Sequence, residues 1–104
     1  MRRPRRSVVV LAGRAAASDT PAQALLASLT EVGVETIYLG KQDSARRIAS
    51  VVADEQADSV ELCLAGSGGV VLLRDLLREL IELGRRDVSI VAHRGLGRFE
   101  SGWS

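Results

Sequence analysis

Apolar residues fall along the chain in two alternating rhythms. Short runs rich in β-branched residues, at positions 7–11, 35–39, 59–64 and 88–92, alternate with longer stretches in which leucine, valine, isoleucine and alanine recur every three or four positions. The first rhythm predicts strands, the second helices with one buried face. Ser7 is followed by Val8, Val9, Val10 and Leu11 without a polar break, so the first strand is expected to be buried on both faces. The second run opens on Glu35 and Thr36, which suits a strand at the edge of a sheet.

The punctuation between these runs is equally legible. Thr20, Pro21 and Gln23 supply a capping residue, a first-turn proline and the far end of a capping box. A helix follows, with Ala22, Leu25, Leu26, Leu29 and Val32 on its inner face and Gly33 at its stop. Asp43 or Ser44 caps a second helix that turns Ala45, Ile48, Ala49 and Val52 inward and Arg46, Arg47, Asp54 and Glu55 outward. Gly66, Ser67, Gly68 and Gly69 lead into a third, ended by Gly84. Its stripe of Leu73, Leu76, Leu77 and Leu80 is broadened by Val70, Val71, Leu72, Ile81 and Leu83, which is more apolar surface than one sheet face needs.

Strands alternating with helices at this spacing imply right-handed crossovers and a parallel sheet. The expected fold is therefore α/β: a flavodoxin- or Rossmann-like doubly wound sheet of about four strands and three helices, over residues 7–92. A basic arm, residues 1–6, is expected to be solvated and flexible, and residues 93–104 to form an irregular tail. Common domains of this type carry a fifth strand and a final helix, so the architecture reads as shortened at its C-terminal end.

Length and composition narrow the classes of function. With 104 residues, 46% of them hydrophobic, the chain builds one core and no interdomain cleft. The net charge is +1, yet Arg2, Arg3, Arg5 and Arg6 hold four of the fourteen basic residues, leaving a mildly acidic body. Tyr38, Phe99 and Trp103 are too few for a base-stacking platform, which argues against single-stranded nucleic acid. No apolar run has the length of a membrane span, and one cysteine, Cys63, forms no internal disulfide, so a cytoplasmic protein is expected.

From Arg6 to about Ala92 the chain resembles, without gaps, the cobalamin-binding domain at the C-terminus of methylmalonyl-CoA mutase. The passages that carry the resemblance are residues 33–40, the helix through Ile48, the strand at 58–64 and the leucine-rich helix ending at Gly84. The family's Asp-x-His-x-x-Gly loop supplies the histidine beneath cobalt; the matching positions here hold Ala16, Ser18 and Pro21. A hydroxyl is a poor substitute for imidazole as a cobalt ligand, so histidine-on binding is expected to be lost. The family's Ser-x-Leu motif is matched by Cys63 and Ala65, and its glycine pair after the fourth strand by His93 and Arg94, two side chains that obstruct the slot for the nucleotide tail.

The resemblance thus implies a noncatalytic, degenerate cobalamin-binding-like domain with no cofactor, working through protein contacts as an accessory or regulatory subunit. A homo-oligomer or a heteromeric complex is expected, because an open fourth strand and an over-broad third helix invite a partner. The alternative is a small cobalamin-binding subunit of an acyl-CoA mutase, an isomerase, contacting the cofactor through Ser18, Gly66, Ser67, Gly68 and His93. A weaker alternative makes the turn at 66–69 an anion or nucleotide sensor, although neither a lysine nor an acidic ribose partner accompanies its glycines. Cys63 and His93 fall at adjacent strand ends, where a thiolate–imidazolium pair is conceivable and a buried structural thiol is the ordinary outcome. Asp19 and Asp43 are explained by local capping, and the acids of receiver domains are missing after both the first and the third strand.

Overall fold

The computed structural model describes residues 3–12, 20–64 and 69–94. Along the chain run β1 (Arg6–Ala12), α1 (Thr20–Glu31), β2 (Glu35–Lys41), α2 (Ala45–Glu55), β3 (Ser59–Leu64), α3 (Gly69–Glu82) and β4 (Ser89–Arg94). The strands form one parallel sheet in the order β2-β1-β3-β4. This is the doubly wound α/β arrangement expected from the sequence. Among the described residues no helix is long and apolar enough to cross a membrane.

Strand periodicity sorts the core into two layers. Val8, Val10, Ala12, Val60 and Leu62 point toward α2 and α3 and meet Ile48, Ala49, Val52, Leu72, Leu76 and Leu80. Val9, Leu11 and Cys63 point the other way and meet Ala22, Leu25, Leu26 and Leu29 of α1. A valine taken fully out of water contributes about 1.5–3 kcal/mol, so the three consecutive valines of β1 anchor both layers. Gly69 lets α3 settle against β3: a Cβ there would stand 2.7 Å from Leu64 Cδ2.

One C-terminal device recurs. At the end of α1, Gly33 N–H donates to Thr30 O and Val34 N–H to Leu29 O, with Gly33 at φ +90°. At the end of α2, Gln56 and Ala57 donate to Ala53 O and Val52 O in the same pattern, with Gln56 in the left-handed region at φ 53°. The start of α2 is fixed by Ser44 rather than Asp43, since Ser44 Oγ accepts from Arg47 N–H at 3.2 Å.

The end of α2 also explains the basic arm. That helix carries no basic residue in its last turn, and three distant arginines serve the carbonyls of its last residue, its cap and the residue beyond. Arg6 Nη1 donates to Glu55 O at 2.6 Å, Arg3 Nη2 to Gln56 O at 3.1 Å and Arg85 Nη2 to Ala57 O at 2.9 Å. Guanidinium groups at a helix C-terminus satisfy orphan acceptors and oppose the negative end of the dipole. Arg6 also pairs with Glu35 at 2.8 Å and Arg3 with Asp58 at 3.2 Å. The expectation of a free arm over residues 1–6 is thus corrected at Arg3 and Arg6, and β1 begins at Arg6.

Three strands differ in their limits from the sequence expectation: β1 gains Arg6 and Ala12, and β2 and β4 differ for reasons of their own. β2 runs past Gly40 to Lys41 because Gly40, at φ +73°, absorbs a shift in register against Val9 and Val10. β4 extends to Arg94, so His93 and Arg94 belong to the sheet and not to an irregular tail. The other residues of that tail lie outside the described residues.

Asp58 ties these parts together: its carboxylate accepts from Arg6 N–H at 2.8 Å, its own N–H donates to Arg6 O at 2.7 Å, and its carbonyl accepts from Ser89 N–H at 3.1 Å. Asp58→Ala leaves the part-buried Arg6 N–H without its acceptor and takes from Arg3 one of its two partners. Chemical denaturation is expected to show a loss of roughly 1–3 kcal/mol, the cost of one unsatisfied buried donor.

Candidate functional site

In an open parallel sheet, the place where chain connections leave for opposite faces is a crevice at the carboxyl ends of the strands. Here that place lies between β1, whose connection α1 covers one face, and β3, whose connection α3 covers the other. Ala12 and Leu64 are the last residues of these two strands. Of the residues expected to line a site, Ser18, Gly66, Ser67 and Gly68 lie outside the described residues. His93 is described, one residue before the end of β4.

His93 is in register with Cys63, and Cys63 with Leu11. The imidazole does not use Cys63 as its partner. Its Nε2 stands 2.6 Å from Glu61 Oε1, diagonally across β3 and β4 on the α1 side of the sheet. Only 8% of Glu61 is exposed, so its carboxylate needs a partner and finds it in the ring. The bond is made through Nε2, so Nδ1 is the ring nitrogen left outside it. The pair can hold and position a proton at the carboxyl end of the sheet.

Cys63 is buried, with 2% of its surface exposed. Burial first, and then the Glu61 charge, push its thiol up to about 11. It is therefore a thiol at neutral pH, and the thiolate–imidazolium alternative has neither its anion nor its hydrogen bond. Among the described residues no group of three or more His, Cys, Asp or Glu side chains is placed to hold a metal ion.

Sequence reasoning singled out His93 and missed Glu61. The signal was present: Glu61 is the one charged residue within a strand that otherwise reads Ser, Val, Leu, Cys and Leu, and a carboxylate inside a central strand demands compensation. Its partner was hidden because the fourth strand was expected to end at Ala92, one residue short of the histidine.

No protein-family model matches the chain, and no curated protein matches it. Solved structures do match. One, the solution structure of a phosphate-loop protein, is similar over 83% of this chain and 77% of its own, with a TM-score of 0.51 and 22% identity. That likeness supports the doubly wound α/β fold described above.

The Cys63 shift has a consequence for stability. A folded-state value of about 11 against an ordinary value of 9.0 means that the unfolded chain releases the thiol proton first as pH rises. The stabilisation is complete below pH 9.0 and is lost progressively up to about pH 11. Denaturation midpoints measured across that window should fall more for the parent protein than for Cys63→Ala. At neutral pH a thiol probe should react about 100-fold more slowly with the native than with the unfolded protein, following the thiolate fraction and the burial.

Proposed function

We propose that the chain is a noncatalytic, degenerate cobalamin-binding-like domain that acts through protein contacts as an accessory or regulatory subunit. The observation that carries this reading is the bond between His93 and Glu61. The chain has one histidine, and it is held by a carboxylate within the sheet. In the cobalamin-binding family, the position matched by His93 is glycine so that backbone can approach the cofactor's tail. A ring bonded across two strands stands in that position here. The neighbouring position of the family's serine is taken by Cys63, which is buried in the core beneath α1.

These residues do not fit cobalamin held through a histidine, and no step is assigned to that group. The exposed apolar side chains of α3 and β4, among them Val70, Leu77, Ile81 and Val91, fit a contact surface instead. The runner-up is a small cobalamin-carrying subunit of an acyl-CoA mutase that keeps the cofactor's own base on cobalt. A single measurement separates the two: the protein is mixed with hydroxocobalamin, desalted and scanned in the visible. Loss of corrin absorbance is expected. Stoichiometric absorbance retained after desalting overturns the proposal.

A second reading draws on the phosphate-loop neighbour. α3 begins at the carboxyl end of β3 with no acidic residue in its first turn, a polarity that suits an anion. Under this reading inorganic phosphate, a nucleotide or coenzyme A raises the melting temperature, and Gly68→Leu abolishes the rise. An unchanged melting temperature at millimolar ligand removes it.

A further inference from the structure

Of the four exposed apolar residues of α3, Val70, Leu77 and Ile81 lie on one flank and Val71 does not. At about 100° per residue, these three and the half-buried Leu73 fan out on one side of the buried line Leu72, Leu76, Leu80, while Asp75, Glu79, Glu82 and Val71 fan out on the other. The right-handed crossover from β3 to β4 fixes which side is which. The acidic flank faces α2, and the apolar flank looks outward over β4. Asp75 and Glu79 are accordingly half-buried, whereas Leu77 and Ile81 are 47% and 49% exposed.

Beside that flank, β4 is an open edge among the described residues. Ser89 N–H donates to Asp58 O, so Ser89, Val91 and His93 bond to β3, and Ile90 and Ala92 turn their N–H and C=O groups outward. Nothing within residues 89–92 blunts the edge: there is no proline and no charge. Val91 stands 41% exposed on the α1 side.

We infer that a second copy of this chain docks on this edge, β4 antiparallel to β4 about a twofold axis at Val91. The inference rests on the reading that the domain works through protein contacts, and names the partner. In this register Ile90 of one copy exchanges hydrogen bonds with Ala92 of the other. The two Val91 side chains then meet as a directly opposed, non-hydrogen-bonded pair, with Cα atoms about 4.5 Å apart.

The helix layer fits the same axis. α3 lies over the midline between β3 and β4, so its twofold mate runs antiparallel to it two strand spacings away, about 9.6 Å. That is inside the 8–10 Å at which helices pack, and the apolar flanks of the two helices face each other across the axis. The acidic residues of α3 all point away from the seam, and Arg74 at its rim is paired with Asp75 at 3.5 Å. A contact about 20 Å long and two layers deep buries roughly 1,000 Å² in total, at the lower bound for a specific interface, where weak and reversible association is the rule.

Light scattering on the full chain, diluted stepwise from about 100 µM, should give twice the 11.1 kDa of one copy and then dissociate. Leu77→Glu should move the midpoint at least tenfold higher in concentration. In a Cys63→Ala background, Val91→Cys should form a disulfide-linked dimer on mild oxidation, because a directly opposed antiparallel pair has the Cα separation that a disulfide needs. Lys41→Cys, on the opposite edge strand β2, should not. A monomer throughout the range, or a dimer in which Val91→Cys fails to cross-link, overturns the inference. The cross-linking variant keeps the α3 surface intact, so the test stands even where Leu77→Glu does not fold. Corrin retention after desalting speaks against the proposed function alone, and a monomer against this inference alone.

Discussion

β1 has a strand bonded along each edge and a helix layer against each face, and the rest of the domain is arranged around that double burial. Val8, Val9, Val10 and Ala12 are wholly inaccessible, so neither face of the strand tolerates water and neither edge tolerates an unpaired amide. A parallel neighbour on each side cannot be reached by a tight turn. It requires a helical crossover, and right-handedness then dictates which face each helix covers. With β2 on one side of β1 and β3 on the other, α1 must lie on one face and α2 and α3 on the other. The uneven cover of the sheet is a consequence of strand order, before any side chain outside the core is considered.

The same geometry gathers charge at one end of the molecule. All four strands point the same way, so the C-terminus of α2, the start of β1 and the start of β3 meet at the amino end of the sheet. Arg3, Arg6 and Arg85 converge there on the carbonyls of Glu55, Gln56 and Ala57. The carboxylates of Asp58 and Glu35 hold two of the three arginines. Exposed ion pairs contribute little by themselves. Here the guanidinium groups also complete a helix end that carries no cation of its own, and the Asp58 carboxylate supplies the first acceptor of β1.

How much of this was legible in the sequence depends on the reach of the interaction involved. Limits set by neighbouring residues were readable: β3 spans residues 59–64, α1 begins at Thr20, and α1 turns out at Gly33. Limits set by pairing with a distant strand were not. Nothing local extends β2 beyond Gly40 or β4 beyond Ala92; the partner strand does so through a register shift in one case and continued ladder bonds in the other. The anchoring of Arg3 and Arg6 joins residues some fifty positions apart, and an arginine-rich run by itself reads as solvated. At the candidate site His93 was visible as a residue type, but its role depended on Glu61, which only the parallel register of β3 and β4 brings within 2.6 Å.

Two places in the chain depart from the rules that the rest obeys. Strands of a parallel sheet are buried on both faces, yet Val91 and Ala92 of β4 are exposed. A helix on such a sheet carries one apolar stripe, yet α3 carries a second, displaced toward that same strand. Each departure alone costs the isolated chain solubility without any gain in its core. Both border the β4 edge, Ala92 and the α3 flank on one face of the sheet and Val91 on the other. Local inconsistencies of this kind concentrate where a protein does its work. The Glu61–His93 pair lies on the α1 face of the same edge strand and its neighbour, with side chains 11% and 24% exposed, so this polar pair within the sheet sits at its least covered strand.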